Sequence, residues 1–149
     1  MTLHPFFKLL VVVGLLMVMA CSHPPFSMNY RDKIGRKQGT WKVWFDEGKS
    51  KLYYEGKYKN NAPRGAFKYY DQRGNIQLIE KYKRNKSIQT TYNHPNGKVD
   101  MKGLAQIIIN PDTTIYHWIG QWEKFDTAGK LIEVHTYRNG NRIWVKFVR

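Results

Sequence analysis

The chain has 149 residues, with 25 Lys and Arg against 11 Asp and Glu, for a formal net charge of +14; it holds one cysteine, and aromatics make up 15% of it. That length allows one domain of ordinary size or a short repeat array. One cysteine excludes an intrachain disulfide framework and any multi-cysteine zinc or iron–sulfur site, and the aromatic content argues against a disordered basic tail. Leu9 to Ala20 reads LLVVVGLLMVMA, without a charge. It is shorter than the ~20 apolar residues that a membrane span needs. It fits the apolar region of a secretory signal peptide, with Lys8 as a thin basic flank.

The run ends in Val18-Met19-Ala20-Cys21-Ser22. This resembles the bacterial lipoprotein lipobox, in which the cysteine follows a small residue and, two places earlier, an aliphatic one. The resemblance implies that residues 1–20 are removed and that Cys21 is the lipidation site, carrying a diacylglyceryl group and often an acylated amino end. Each buried CH₂ contributes about 0.8 kcal/mol and one acyl chain holds only marginally, so two or three chains anchor stably. Ser22, rather than Asp, implies the outer membrane. His23 to Asn29 has no acidic cluster of the kind that directs surface display, so the expected orientation faces the periplasm. Residues 21–37, with Pro24, Pro25 and several charges, read as a tether.

From residue 38 to 149 the chain repeats itself. Gly39, Trp41, Trp44 and Gly48 share their spacing with Gly65, Phe67, Tyr70 and Gly74, and with Gly120, Trp122, Phe125 and Gly129. An apolar residue follows each second glycine (Leu52, Ile76, Leu131), and a tyrosine comes six residues later (Tyr58, Tyr82, Tyr137). Asn60-Asn61, Asn85 and Asn139-Gly140 mark the next turns. A degenerate copy places Ile88, Thr90, Asn93 and Gly97 at the four positions, without aromatics. An insertion around Asn110-Pro111-Asp112 follows, and residues 141–149 read as a closing strand.

Each unit reads as a hairpin, because Asn and Gly tolerate the positive φ of tight turns. The second strand alternates with period 2: Ile76, Leu78, Glu80 and Tyr82 on one side, Gln77, Ile79, Lys81 and Lys83 on the other. No apolar stripe at helical spacing occurs. The expected fold is all-β: an antiparallel meander of about nine strands, built of stacked hairpins that bury one another's apolar faces.

The pattern G-x-W-x-x-Y-x-x-x-G, then L, then Y-x-N-G, resembles the MORN repeat over Gln38 to Asn141. It is most like the bacterial MORN-2 variant of YwqK-type proteins, often labelled antitoxin-like. Trp44 and Phe125 stand at the tyrosine position. The resemblance implies a β-hairpin array used as a binding or scaffolding surface; eukaryotic relatives are linked to membranes, phospholipids and protein partners. The antitoxin label implies a cytosolic toxin partner, which conflicts with export.

No catalytic residues are predicted. His94, His117 and His135 lack metal-ligand spacing, and Glu133 with His135 reads as a pair of surface polar positions. Asp71 and Asp126 follow the second aromatic of their units and read as turn residues bonding their own backbone, not as a general acid/base pair. The +2/+5 spacing puts the two aromatics of each unit on opposite faces of a regular strand, so one of each pair is free to bind unless a bulge intervenes. Basic residues cluster at 31–37, 49–59, 81–86 and 138–149. The expected protein is a lipid-anchored, non-enzymatic envelope module that binds or scaffolds a protein partner, without cofactor, metal or nucleic acid. The alternatives are a direct binder of anionic lipid or acidic envelope glycan through its basic sheet, and an antitoxin-like protein.

Overall fold

The structure, a computed structural model, describes residues 28–109 and 112–149. The signal segment, Cys21 and the Asn110-Pro111 part of the insertion lie outside the described residues. One antiparallel sheet of ten strands runs in chain order. The strands are β1 (Tyr30–Arg31), β2 (Lys37–Trp44), β3 (Leu52–Lys59), β4 (Ala62–Tyr70), β5 (Ile76–Tyr82), β6 (Ser87–Asn93), β7 (Val99–Ile109), β8 (Thr114–Phe125), β9 (Leu131–Arg138) and β10 (Asn141–Phe147). The hairpin meander expected from the repeat is therefore the fold, with a short additional strand at its start.

That additional strand lies in the segment read as a tether: Tyr30–Arg31 pairs with Lys37 and Gln38 across a turn at 32–36. Asp32 holds that turn. Its Oδ1 accepts the N–H groups of Ile34 and Arg36 at 3.1 and 2.9 Å, and its Oδ2 pairs with Arg36 Nε at 2.7 Å. Asp71 does the same for Arg73 and Asn75, and Asp126 for Ala128 and Lys130. Asp-x-x-Gly is thus the turn of the repeat, and Asp32-x-x-Gly35 is a further copy of it. In the first full unit two extra residues lengthen the turn, and Lys49 rather than Gly48 takes the positive φ, at 55°.

The other connections are the Asn turns. Asn60-Asn61 and Asn139-Gly140 have positive φ at both residues and join paired strands directly. Between β5 and β6 the positive φ falls on Lys86, while Asn85 Oδ1 accepts from the Ser87 hydroxyl at 2.7 Å.

The alternation expected along β5 is interrupted. Each hairpin ladder skips one residue beside the start of its second strand: Tyr53, Gln77, Asp100 and Ile132. A second irregularity occurs between hairpins. Lys57 pairs with Arg64 and Glu55 with Lys68, so Gly56 alone faces Gly65, Ala66 and Phe67. Gly103 likewise faces Gly120, Gln121 and Trp122. Gly65 and Gly120 have φ of +68° and +66°, which the added residues need and an L side chain resists.

The core lies on one face of this single sheet. Trp41, Phe67 and Trp122, the first aromatics of the three regular units, are buried there, with Ile88 and Ala105. The unit tyrosines pack edge-on against them: Tyr58 lies 6.0 Å from Trp41 and 5.1 Å from Phe67, and Tyr82 lies 5.3 Å from Phe67. Trp118 stacks on Trp122 at 3.9 Å, and Tyr137 closes on Trp118 at 5.0 Å.

Candidate functional site

The second aromatics of the units are half-buried and turn to the opposite face. There the Tyr70 hydroxyl donates to Glu55 Oε1 at 2.8 Å, Lys102 Nζ lies 5.0 Å from the Phe125 ring, and Lys49 Nζ lies 5.4 Å from the Trp44 ring. The motif glycines Gly39, Gly65 and Gly120 take the left-handed backbone within strands, and Gly74, Gly97 and Gly129 take it in turns. These residues build the scaffold, and neither aromatic set converges on a cleft.

The position four residues after the unit's apolar residue separates the units. It is Gly56 in β3, Glu80 in β5, Gly103 in β7 and His135 in β9. At Gly56 and Gly103 the missing side chain makes room for a ring from the next strand. A Cβ on Gly56 would sit 2.3 Å from Phe67, and one on Gly103 would sit 2.3 Å from Trp122. Both rings are essentially inaccessible, Trp122 at 0% exposure.

At β5 both halves of this arrangement change. Glu80 replaces the glycine, and the degenerate unit offers Thr90 where the others offer an aromatic. Ile88 stands where the bulge glycine would be. A β-branched residue does not take the left-handed backbone, and the β5–β6 ladder runs without a shift. With no ring from β6 folded over it, Glu80 helps line a depression of about 450 Å³, together with Tyr53, Tyr69, Gln77, Leu78, Tyr92 and Tyr116. Tyr116 reaches across β7 to place its hydroxyl 3.1 Å from Thr90 Oγ1.

Glu80 itself is 7% exposed. Its Oε2 accepts hydrogen bonds from the hydroxyls of Tyr69 at 3.0 Å and Tyr82 at 2.9 Å. Among the described residues no Lys, Arg or His forms an ion pair with it. Burial first, and then the nearby Glu80 charge, hold the Tyr69 and Tyr82 phenols well above their ordinary value, so both remain donors.

His135, at the same position in β9, corrects the reading of a surface pair: it is 4% exposed. Its Nε2 lies 2.6 Å from Glu133 Oε2, and that hydrogen bond, more than the neighbouring Lys124, holds the Glu133 carboxyl below its ordinary value. Asp71 and Asp126 are turn residues, as their spacing suggested.

The two sheet edges differ. On β2, the Asn29 side chain imitates a strand: its amide donates to the Lys42 carbonyl at 2.8 Å and accepts from the Lys42 N–H at 2.7 Å. Among the described residues β10 pairs with β9 alone, and Ile143, Trp144 and Phe147 on it are exposed, Phe147 to 73%. Arg142 and Lys146 stand beside them. Lys57, Lys68 and Lys81, also exposed, lie on the face away from the core across β3–β5. No family model matches the chain, and neither a curated protein nor a solved structure is significantly similar to it.

Proposed function

We propose that this chain is a lipid-anchored, non-enzymatic module of the bacterial envelope, a MORN-like sheet that binds a protein partner. The observation that supports it best is the contrast between the edges. A bare edge strand invites pairing, and proteins usually blunt it. Here β2 is capped by Asn29, while β10 carries exposed apolar side chains flanked by cations. An extended partner segment with apolar and acidic residues fits that edge by strand addition. Cys21 would hold the sheet at the membrane through its acyl chains.

The test has two arms. Cys21→Ala should no longer incorporate labelled palmitate; incorporation at the wild-type level would remove the anchor from this reading. Trp144→Lys with Phe147→Lys should lose a protein that cross-links to the wild-type chain in intact envelopes. An unchanged cross-linking pattern would remove the edge. A second reading, contact with anionic lipid or acidic glycan, is favoured by Lys57, Lys68 and Lys81 on one face. Its signature is binding that weakens steeply with salt, because exposed charges are screened beyond about 8 Å at physiological ionic strength.

A further inference from the structure

We propose that the depression over Glu80 binds an alkylammonium cation, the carboxylate countering its charge and the tyrosine rings packing its alkyl groups. This site is separate from the β10 edge and does not depend on that reading.

Three observations carry it. The first is the exchange of residues at one position of the repeat. Where β3 and β7 have glycine beneath a ring, β5 has a carboxylate beneath an open space. The space is thus of the kind that an aromatic ring fills elsewhere in the same sheet, which suits a small organic group better than a bare ion.

The second is the unbalanced charge. Burying a carboxylate without a cation is costly. The chain has 25 Lys and Arg, yet among the described residues none pairs with Glu80. Two phenols converge on one oxygen, which holds the carboxylate in place without neutralising it.

The third is what the walls offer. The Tyr69 and Tyr82 hydroxyls are committed to Glu80, and that of Tyr116 lies against Thr90. The walls toward the depression are mostly aromatic, from Tyr53, Tyr69, Tyr92 and Tyr116, with Gln77, Leu78 and the Glu80 carboxylate between them. Substituted ammonium ions are recognised by aromatic rings through the attraction of the cation to the ring face. A hard divalent ion would need several oxygen ligands where one carboxylate stands. The same chemistry is offered by a free amine and by a choline lipid headgroup.

The experiment uses the full-length chain in a maltoside detergent, with choline as the probe and saturation-transfer NMR on its methyl protons as the readout. Saturable binding in the millimolar range is expected, as is usual for one cation on an aromatic site. The uncharged isostere 3,3-dimethyl-1-butanol should bind at least about tenfold more weakly, and Glu80→Gln should weaken choline by a similar factor. Tyr53→Leu, at the exposed rim, removes a ring and keeps the carboxylate and both of its phenols in the sequence, with leucine in the place that packs on Tyr69; it should also weaken choline. It decides the matter if Glu80→Gln does not fold, as judged by circular dichroism. Phosphatidylcholine vesicles in place of free choline separate the sources: binding to both assigns the headgroup, and binding to free choline alone assigns a soluble amine. Equal binding of the isostere, no saturable choline binding, or choline binding unchanged in folded Glu80→Gln or in Tyr53→Leu would overturn the proposal.

Discussion

Gly103 shows how little room the scaffold leaves at a single residue. An Hα stands where a side chain would begin, and an added Cβ would come 2.3 Å from Cδ2 of the indole of Trp122. The indole cannot simply swing away, because Trp118 stacks on it and its Nε1 donates to the Leu104 carbonyl at 3.0 Å. Gly103→Ala is therefore an overpacking change, and such changes cost about 1–3 kcal/mol. The expected outcome is a lower urea midpoint with a red-shifted tryptophan emission, as the indole is pushed toward water. Gly65→Ala is the contrast. Nothing lies within 4 Å of a Cβ there, but φ is +68°, so the cost is backbone strain of roughly 1–2 kcal/mol, with emission unchanged. A Gly103→Ala protein with wild-type stability and emission would mean that the ring does not depend on the gap beneath it.

At the scale of the element, the turns make the strands, and their carboxylates make the turns. Hydrogen bonds from the backbone of residues further along each turn, and from the Asn75 side chain at Asp71, hold Asp46, Asp71 and Asp126 below the ordinary value of 3.8. At Asp32 desolvation works upward, but bonds from Arg36, Gln38 and Ile34 outweigh it and hold the carboxyl at about 2. In the unfolded chain these groups return to their ordinary values and take up protons first as pH falls. Their contribution is thus complete above about pH 4 and is lost progressively toward about pH 2. The urea midpoint should fall over that interval, and less so in Asp32→Asn, which has no carboxylate at its first turn. A wild-type midpoint that stays level down to about pH 2 would show that the turn carboxylates do not act in this way. This element was readable in the sequence, because Asp-x-x-Gly recurs with the strands it joins. Its copy at Asp32 could have been found by that spacing. Pro24 and Pro25 before it, with Arg31, Lys33, Arg36 and Lys37 around it, look like linker and hide it.

The molecule as a whole is a sheet one layer thick, so each strand is stabilised by its chain neighbours and cohesion passes along the array from one to the next. Its meander could be read from the repeat alone, since glycine and aromatic spacing dictates where chain reverses and which side packs. The Glu80 depression could not. A carboxylate at period 2 looks like a wet position, and only the register shows that its counterparts in β3 and β7 lie under rings. The same exchange breaks the run of ring contacts along the sheet. Ring contacts run from Trp41 through Tyr58 and Phe67 to Tyr82, and separately from Tyr92 through Trp118 and Trp122 to Tyr137. Glu80 and Thr90 lie at the join, paired with each other. Tyr82 also packs on the Ile88–Ala105–Trp122 cluster, but the ring contacts break at this polar pair, so the two blocks should open with partial independence. Trp122→Ala removes the largest buried side chain of the second block, at a cost of about 3–5 kcal/mol. Hydrogen exchange should then accelerate strongly in β7–β9 and much less in β2–β4. If the two regions accelerate together, the polar step transmits cohesion as well as the rings do, and the sheet is one cooperative unit despite the broken repeat.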